Sequence, residues 1–238
     1  ASQYGSFTCS FTVDIQPAGT TTITASGVSV ATNVFNIQPA VVSVMPTAGT
    51  VGTVVTIAGT GYGAGDVITI AFGTNSSIKQ TDASQYGSFT CSFTVDTQLH
   101  GTCTIITSGG VNVVKSKFFI ESAIYSLLPT SGTVGTSVDV CGTGYGPSEL
   151  ITIGFGDTAN IGQVFSDNSG YFVKSFVVNL QDYGTTAVSA SGNVSGTAIN
   201  TFFIKPNIYA VEPTEGTIGT IVTITGSGYE TMDAVTIA

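Results

Sequence analysis

Apolar and polar residues alternate along most of the chain, in short runs separated by clusters of glycine, threonine and proline. In one run Val55 and Ile57 flank a threonine, and in a later one Phe89, Cys91 and Phe93 occupy every second position. A period of two places such side chains on one face of an extended strand. Turn-forming clusters recur about every 8 to 12 residues, as they do in antiparallel sandwiches. The pattern therefore predicts an all-β chain of half-buried strands.

This pattern recurs at a fixed interval. A segment that begins PTAGTVGTVVTIAGTGYG at Pro46 returns with few changes at Pro129 and again at Pro213. The prolines lie 83 and 84 residues apart, and such an interval accommodates about seven short strands. Strand number and length both suit a small immunoglobulin-like fold. We therefore predict tandem immunoglobulin-like β-sandwiches of about 83 residues in series.

The phase of the repeat sets the predicted domain boundaries. Two complete units are expected at 39–121 and 122–205. Residues 1–38 correspond to the C-terminal half of a unit, and residues 206–238 correspond to the N-terminal half of another. A discrete subunit with two half-units and a window of a longer tandem array both fit this phase, and the sequence alone leaves the two open.

The two half-units carry apolar side chains that half a sandwich leaves uncovered, because the opposing sheet is missing and strand edges lack partners. We expect the half-unit at 206–238 of one copy to complete the half-unit at 1–38 of the next, giving a head-to-tail homopolymer. The apolar side chains expected at this subunit joint are Phe7, Phe11, Val13, Ile23, Phe35, Ile208, Val211, Ile221, Ile224 and Ile237.

Charge narrows the classes of partner. The net charge is −9, charged residues make up 8% of the chain, and the five cations are all lysine. A nucleic-acid-binding surface needs many cations to neutralise phosphates, so we expect no nucleic-acid partner. No apolar stretch approaches the roughly 20 residues that a spanning helix needs, so we expect no membrane insertion.

The repeated motif P-T-x-G-T-V-G-T-x-V-x-I-x-G-T-G-Y-G, followed by I-T-I-x-F-G, resembles the TIG/IPT immunoglobulin-like repeat of bacterial and archaeal cell-surface proteins. The resemblance covers essentially the whole chain. It implies an immunoglobulin-like fold and an extracellular or cell-surface location. The same family supplies DNA-binding regulators, receptor stalks, enzyme accessory domains and adhesins, and the absence of arginine argues against the regulators.

Nothing in the sequence predicts catalysis, a cofactor or a metal site. The glycine-rich GTGYGAG at 59–65 precedes a predicted strand, whereas a nucleotide fingerprint needs a following helix. We interpret it as a bend, with Tyr62 covering one end of the sandwich. The single histidine, His100, lies on a predicted hairpin turn, and no second histidine provides a catalytic base.

The cysteines and two sequons are candidate modification sites. Cys91 and Cys103 have the strand parity of inward-facing residues, so they are expected either to form a disulfide or to pack as small buried hydrophobes. Lys174 replaces Cys91 in the next unit, which predicts an edge strand or a local bulge. Asn75 and Asn193 each begin an N-x-S sequon and are candidate glycosylation sites.

These observations together predict a structural, non-enzymatic protein of the cell exterior. The leading hypothesis is a filament subunit that assembles head to tail by strand complementation between half-units. The alternative is an adhesin stalk or a carbohydrate-binding repeat module of a larger surface protein.

Overall fold

The computed structural model describes residue 2 and residues 4–238. The described part is all-β, without a helix, and so has none long and apolar enough to cross a membrane. Its strands, in chain order, are β1 (Gly19–Ser26), β2 (Val30–Ile37), β3 (Ala40–Met45), β4 (Ala48–Gly49), β5 (Val54–Thr60), β6 (Val67–Phe72), β7 (Asn75–Asp82), β8 (Phe89–Thr94), β9 (Gly101–Gly109), β10 (Asn112–Ile120), β11 (Ala123–Leu128), β12 (Ser131–Gly132), β13 (Ser137–Thr143), β14 (Leu150–Phe155), β15 (Thr158–Phe165), β16 (Phe172–Val177), β17 (Gly184–Gly192), β18 (Gly196–Ile204), β19 (Asn207–Glu212) and β20 (Thr223–Ser227).

The strands fall into two compact units. The first unit contains Ala1–Thr47, Val54–Thr94 and Thr104–Phe118. The second contains Ala48–Thr53, Val95–Cys103 and Phe119–Ala238.

The second unit holds a complete sandwich of two sheets. One sheet has the strand order β11-β13-β16, and the other has the order β12-β18-β17-β14-β15. The inward positions of the alternating pattern form a single apolar core, as period-two patterning requires. The buried residues of this core are Ile124, Leu127, Val138, Val140, Tyr145, Ile151, Ile153, Phe155, Phe172, Phe176, Val178, Val188, Ala190, Ala198, Phe202 and Ile204. Within the same unit β4 pairs in parallel with Phe119 and Ile120, at the end of β10.

The first unit repeats this arrangement. It contains a sheet of order β3-β5-β8 and a second sheet with neighbouring strands β10, β9, β6 and β7. The inward residues of both sheets are again mainly apolar and buried. Its register matches that of the second unit, since Val55 pairs with Phe93 just as Val138 pairs with Phe176. The tandem immunoglobulin-like sandwiches predicted from the sequence are therefore present.

Each unit also contains a smaller two-stranded sheet. In the first unit β1 and β2 form an antiparallel hairpin. In the second unit β19 pairs antiparallel with β20, with a bulge between Ile208 and Ala210 that recurs between Val41 and Ser43 of β3. Sheet β19-β20 thus reproduces β3-β5 without its third strand. Residues 6–14 and 233–238 form no strand.

One contact, here called the junction contact, recurs three times. A backbone N–H on the turn that precedes a hairpin donates to the carbonyl of the tyrosine in the G-T/S-G-Y motif. The three pairs are Ala18 to Tyr62 at 2.9 Å, His100 to Tyr145 at 3.3 Å and Tyr183 to Tyr229 at 3.3 Å.

A glycine beside each junction contact explains the repeated motif. Gly61, Gly144 and Gly228 all have φ between +72° and +74°, where residues with a Cβ are strained. A Cβ on Gly144 would also lie 2.5 Å from the carbonyl oxygen of Glu121. The motif is therefore a bend that only glycine fits, as predicted. Tyr62, predicted to cover one end of the sandwich, has a fully buried ring, and its hydroxyl lies 2.5 Å from Thr107 Oγ1.

Candidate functional site: two uncovered half-sandwich faces

Two identical segments of the chain have different surroundings. ASQYGSFTCSFTVD occurs at 1–14 and again at 83–96. Phe7 is 65% exposed and its counterpart Phe89 is 5% exposed, while Phe11 is 64% exposed and its counterpart Phe93 is 4% exposed. Because the local sequence is the same, the difference comes from tertiary partners and not from local preference.

The partners of the buried copy are specific. Phe89 pairs across the sheet with Gly59, and its ring centroid lies 5.3 Å from that of Tyr62 in an edge-to-face arrangement. The ring of Phe93 lies 5.3 Å from that of Phe72. Edge-to-face aromatic pairs stabilise a core by about 0.5–1.5 kcal/mol beyond the area that they bury. Phe7 and Phe11 lack this cover in the single chain.

The second uncovered face is in the second unit. Val222, Ile224, Val235 and Ile237 are 36–58% exposed, whereas the residues at the same repeat positions, Val55, Ile57, Ile68 and Ile70, are fully buried. A groove of about 520 Å³ runs over this face. Its lining residues are Ile208, Val222, Ile224, Gly226, Tyr229, Val235 and Ile237. We call it the C-terminal groove.

The first unit carries a smaller counterpart, here the N-terminal groove, of about 290 Å³. Its apolar lining comes from Phe11, Val13, Ile23 and Phe35, and the rest is mainly threonine. The structure therefore brings four of the predicted joint residues together at one face.

Of the other predicted joint residues, three line the C-terminal groove and three do not. Ile208, Ile224 and Ile237 line the C-terminal groove, while Phe7, Val211 and Ile221 are exposed outside both groove linings. Sequence reasoning missed Tyr229 and Val235 as groove residues. Aligning the repeats could have predicted both, because Tyr62 and Ile68 occupy the same repeat positions and are fully buried.

A buried carboxylate, which the sequence analysis also missed, lies in the second unit. Glu149 is 7% exposed and accepts backbone hydrogen bonds from Gly146 at 2.7 Å, Val194 at 2.5 Å and Ser195 at 3.0 Å. The Ser195 hydroxyl donates a further hydrogen bond to it. Burial raises the pKa of Glu149, but these four hydrogen bonds to the ionised form outweigh burial and hold the pKa below its usual range.

Glu149 anchors the turn that carries one sequon. Asn193 is exposed between β17 and β18, whereas Ser195 of the same sequon is buried on the carboxylate. The other sequon differs, because Asn75 is half-buried on β7 and its side-chain oxygen accepts the N–H of Ser77 at 3.1 Å. Of the two asparagines, Asn193 is the better presented to solvent.

The Cys91 thiol forms no disulfide in the structure, and a bond between Cys91 and Cys103 stays a prediction from sequence. Cys91 is half-buried on the face of β8 that carries Phe89 and Phe93, and Cys103 is buried, so both have the inward parity predicted. Burial raises the pKa of the Cys91 thiol, and the charge of Lys79 partly opposes this rise. Their packing is that of small hydrophobic residues.

The ring and the backbone of His100 both make structural contacts. Its ring lies 5.2 Å from that of Phe119, edge to face, and its backbone makes the junction contact to Tyr145. Among the described residues no group of three or more metal-ligating side chains occurs.

Comparisons with known proteins add little. No family model matches the sequence, and no curated protein sequence matches it. Among solved structures, the adhesin InvE of Yersinia pseudotuberculosis is similar at 11% identity and a TM-score of 0.34, over 70% of this chain and 58% of that one. Invasin, a bacterial integrin-binding protein, is similar at 11% identity and a TM-score of 0.34, over 73% of this chain and 42% of that one. The chain thus spans about half the length of these two structures.

The D0-D1 domain of intimin is similar at 12% identity and a TM-score of 0.27, over 68% of this chain and 98% of that one. Similarity at these identities and TM-scores shows no function for this chain. The TIG/IPT resemblance stays a prediction from sequence.

Proposed function

We propose that this chain is a structural, stalk-type segment of a cell-surface protein, built from immunoglobulin-like repeats in series. The observation that carries the proposal is the threefold junction contact, with a positive-φ glycine at the same place each time. Contacts that repeat with the same geometry are typical of a spacer segment, whose role is to hold other domains apart. The low charge and threonine-rich strand faces are consistent with a location outside the cell.

Cell-surface location is testable on intact cells. Brief protease treatment of whole cells, followed by mass spectrometry of the released peptides, should recover peptides of this chain. Cells lysed before treatment provide the control for total content. Recovery only after lysis would contradict the proposal.

A second candidate, assembly into a head-to-tail filament by strand complementation, is favoured by a separate observation. Phe89 and Phe93 are buried whereas the identical Phe7 and Phe11 are exposed, and the C-terminal groove exposes counterparts of the residues that cover the buried pair. Phe11 in the N-terminal groove and Val222 in the C-terminal groove are thus the counterparts of Phe93 and Val55, which pair with each other in the complete sandwich. Self-association through two different surfaces is heterologous and extends into a fibre when the rotation does not close.

Two measurements separate the candidates. Sedimentation velocity of the purified chain over a range of concentrations should show growth beyond 24.2 kDa if filaments form. The intact mass of the native polypeptide then decides between subunit and array, since a much heavier chain supports the stalk alone.

A further inference from the structure

We propose that Asn193 accepts an N-linked glycan only while the turn between β17 and β18 is open, and that Glu149 closes this acceptor site when the turn folds. Transfer of a glycan to asparagine needs a hydroxyl two residues further along the chain, so the transferring enzyme must reach both groups. In the folded chain Asn193 is exposed, whereas Ser195, which carries that hydroxyl, is only 7% exposed. The acceptor and its recognition group therefore differ in accessibility.

The Ser195 hydroxyl is engaged on two sides inside the complete sandwich of the second unit. It donates a hydrogen bond to the carboxylate of Glu149 and accepts the backbone N–H of Gly146 at 3.1 Å. The backbone carbonyl of Ser195 accepts the hydroxyl of Ser122 at 2.9 Å. A hydroxyl has a single proton to donate, and here the carboxylate takes it. An enzyme that binds this hydroxyl must first displace Glu149.

The backbone of the sequon is fixed by the same carboxylate. Val194 and Ser195 donate their N–H groups to Glu149 Oε1 at 2.5 and 3.0 Å. A Cβ on Gly192 would overlap this oxygen, so the glycine before the sequon gives the carboxylate its room. Glu149 thus binds two successive N–H groups and the hydroxyl of one turn. We call these three hydrogen bonds the sequon clamp.

The same turn of the first unit lacks the sequon clamp. Asp66 stands at the position of Glu149 and accepts the backbone N–H of Gly63 at 3.1 Å. Within the part of the chain that the structure describes, no hydrogen bond joins the N–H of Val111, the counterpart of Val194, to Asp66. The turn there reads Gly-Val-Asn at 110–112 and contains no sequon. Of these two turns, the clamp is found in the one that carries a sequon.

The folded turn has room for a glycan that is already in place. The side chain of Asn193 is exposed, and the sequon clamp uses none of its atoms. A glycan attached before folding would therefore extend into solvent and leave the three hydrogen bonds intact. The expected order is transfer first and closure second. In the cell this order also requires export, as the cell-surface location proposed above does.

The test compares the intact chain with a synthetic peptide of residues 189–201, which contains the same sequon. Chain made in a host without N-glycosylation is incubated with a purified oligosaccharyltransferase and a lipid-linked oligosaccharide, and mass spectrometry measures transfer at Asn193. The folded chain should be modified roughly tenfold or more slowly than the peptide, because transfer waits for local opening. A peptide that accepts no glycan, or equal rates for peptide and chain, would overturn the inference.

Two alanine variants separate the clamp from general stability. Glu149→Ala should accelerate transfer at Asn193 in the intact chain. The matched control is Val138→Ala, which opens a cavity in the same core, under the other sheet, and leaves the clamp in place. Urea denaturation identifies conditions in which both variants remain folded, and there Val138→Ala should stay as slow as the wild type. Equal acceleration in the two variants would overturn the role of Glu149.

Amide hydrogen exchange of the wild type covers the case in which Glu149→Ala does not fold. The N–H groups of Val194 and Ser195 should exchange roughly tenfold or more slowly than that of Val111, since exchange needs the clamp to open. Equal exchange would overturn the inference. Both measurements use purified components and do not depend on export. If intact cells do not expose the chain, the cell-surface proposal fails on its own, and if transfer is not gated, that proposal stands.

Discussion

Ser195 is held against the carboxylate of Glu149 by two hydrogen bonds, one from its backbone N–H at 3.0 Å and one from its hydroxyl. Both residues are at least nine-tenths buried. The pair joins the start of β14 to the turn between β17 and β18, residues that are 46 apart in sequence. A buried carboxylate is tolerated only when its oxygens are satisfied in this way.

The stability of the second unit should depend on this carboxylate in acid. Because the pKa of Glu149 is lowered in the folded state, its contribution is present above the usual glutamate pKa and lost as pH falls through the folded value. Glu149→Gln should lower the free energy of unfolding at neutral pH by about 1–3 kcal/mol, since its amide places a donor among donors. Urea denaturation at several pH values measures both effects. The exposed Glu215 supplies the control variant, Glu215→Gln, which should retain the acid-dependent loss.

Glycan attachment at Asn193 should be separable from folding. Asn193→Gln removes the acceptor but leaves the hydrogen bonds of Val194 and Ser195, so the denaturation midpoint of unglycosylated protein should not change. Ser195→Ala removes both the sequon and one hydrogen bond to a buried carboxylate, and should cost about 1–3 kcal/mol. Intact mass of protein secreted by a glycosylating host reports attachment. Equal stability of the two variants would contradict the anchoring role of Ser195.

The junction glycine should be intolerant of any side chain. Gly144→Ala combines a strained φ of +73° with a Cβ 2.5 Å from a backbone oxygen, so we expect a loss of more than about 2 kcal/mol. Gly65 has φ +74°, but a Cβ added there would have no atom within 4 Å, so Gly65→Ala isolates the strain. Only about 1–2 kcal/mol is expected there. Thermal denaturation compares the two variants, and an equal loss would show that close approach is unimportant.

The thiols of Cys9 and Cys91 should react at different rates despite identical flanking sequences. Cys9 is exposed, while Cys91 is half-buried and its pKa is raised by burial. The thiolate is the reactive form, so alkylation of Cys9 should be faster at pH 8. Mass spectrometry of labelled peptides measures the rates. Residues that flank each identical segment distinguish the Cys9 peptide from the Cys91 peptide. In a head-to-tail assembly Cys9 should slow to resemble Cys91, and an unchanged rate there would argue against strand addition.

A free peptide of residues 1–14 should act as a competing strand. It carries Phe7 and Phe11, whose counterparts Phe89 and Phe93 are buried in the complete sandwich, so in a head-to-tail assembly an excess of it should cap the C-terminal groove and stop growth. Sedimentation velocity with and without peptide measures this. A scrambled peptide of the same composition is the control, and equal inhibition by both would exclude register-specific binding.

Much of the fold follows from periodicity. Parity places Phe89, Phe93 and Cys91 on one face of one strand, and β8 has that arrangement. The positive-φ glycines are also predictable, because the motif repeats wherever the chain must bend. What parity cannot give is a partner that is distant in sequence. Some of the hydrogen bonds to Glu149 come from the turn between β17 and β18. Nothing in the PSEL segment around Glu149 indicates that this turn is its partner.

Lys174 shows the same limit in one position. It lies on the core-facing side of edge strand β16, and its aliphatic part passes over Gly162, whose Cβ would be 2.8 Å from Lys174 Cε. At the position of Gly162 the first unit has Lys79, close enough to Cys91 to affect its pKa. The sequence predicts the edge strand. It does not predict the exchange, because that requires knowing which strands of opposite sheets meet at the open side.

The threefold junction contact bears on how such a gene can change. A duplicated unit inserted anywhere in the array would find the same donor, the same tyrosine carbonyl and the same permissive glycine at both of its ends. Recombination between copies of the repeat would then lengthen or shorten the product by whole units, with no compensating substitutions at the junction contact.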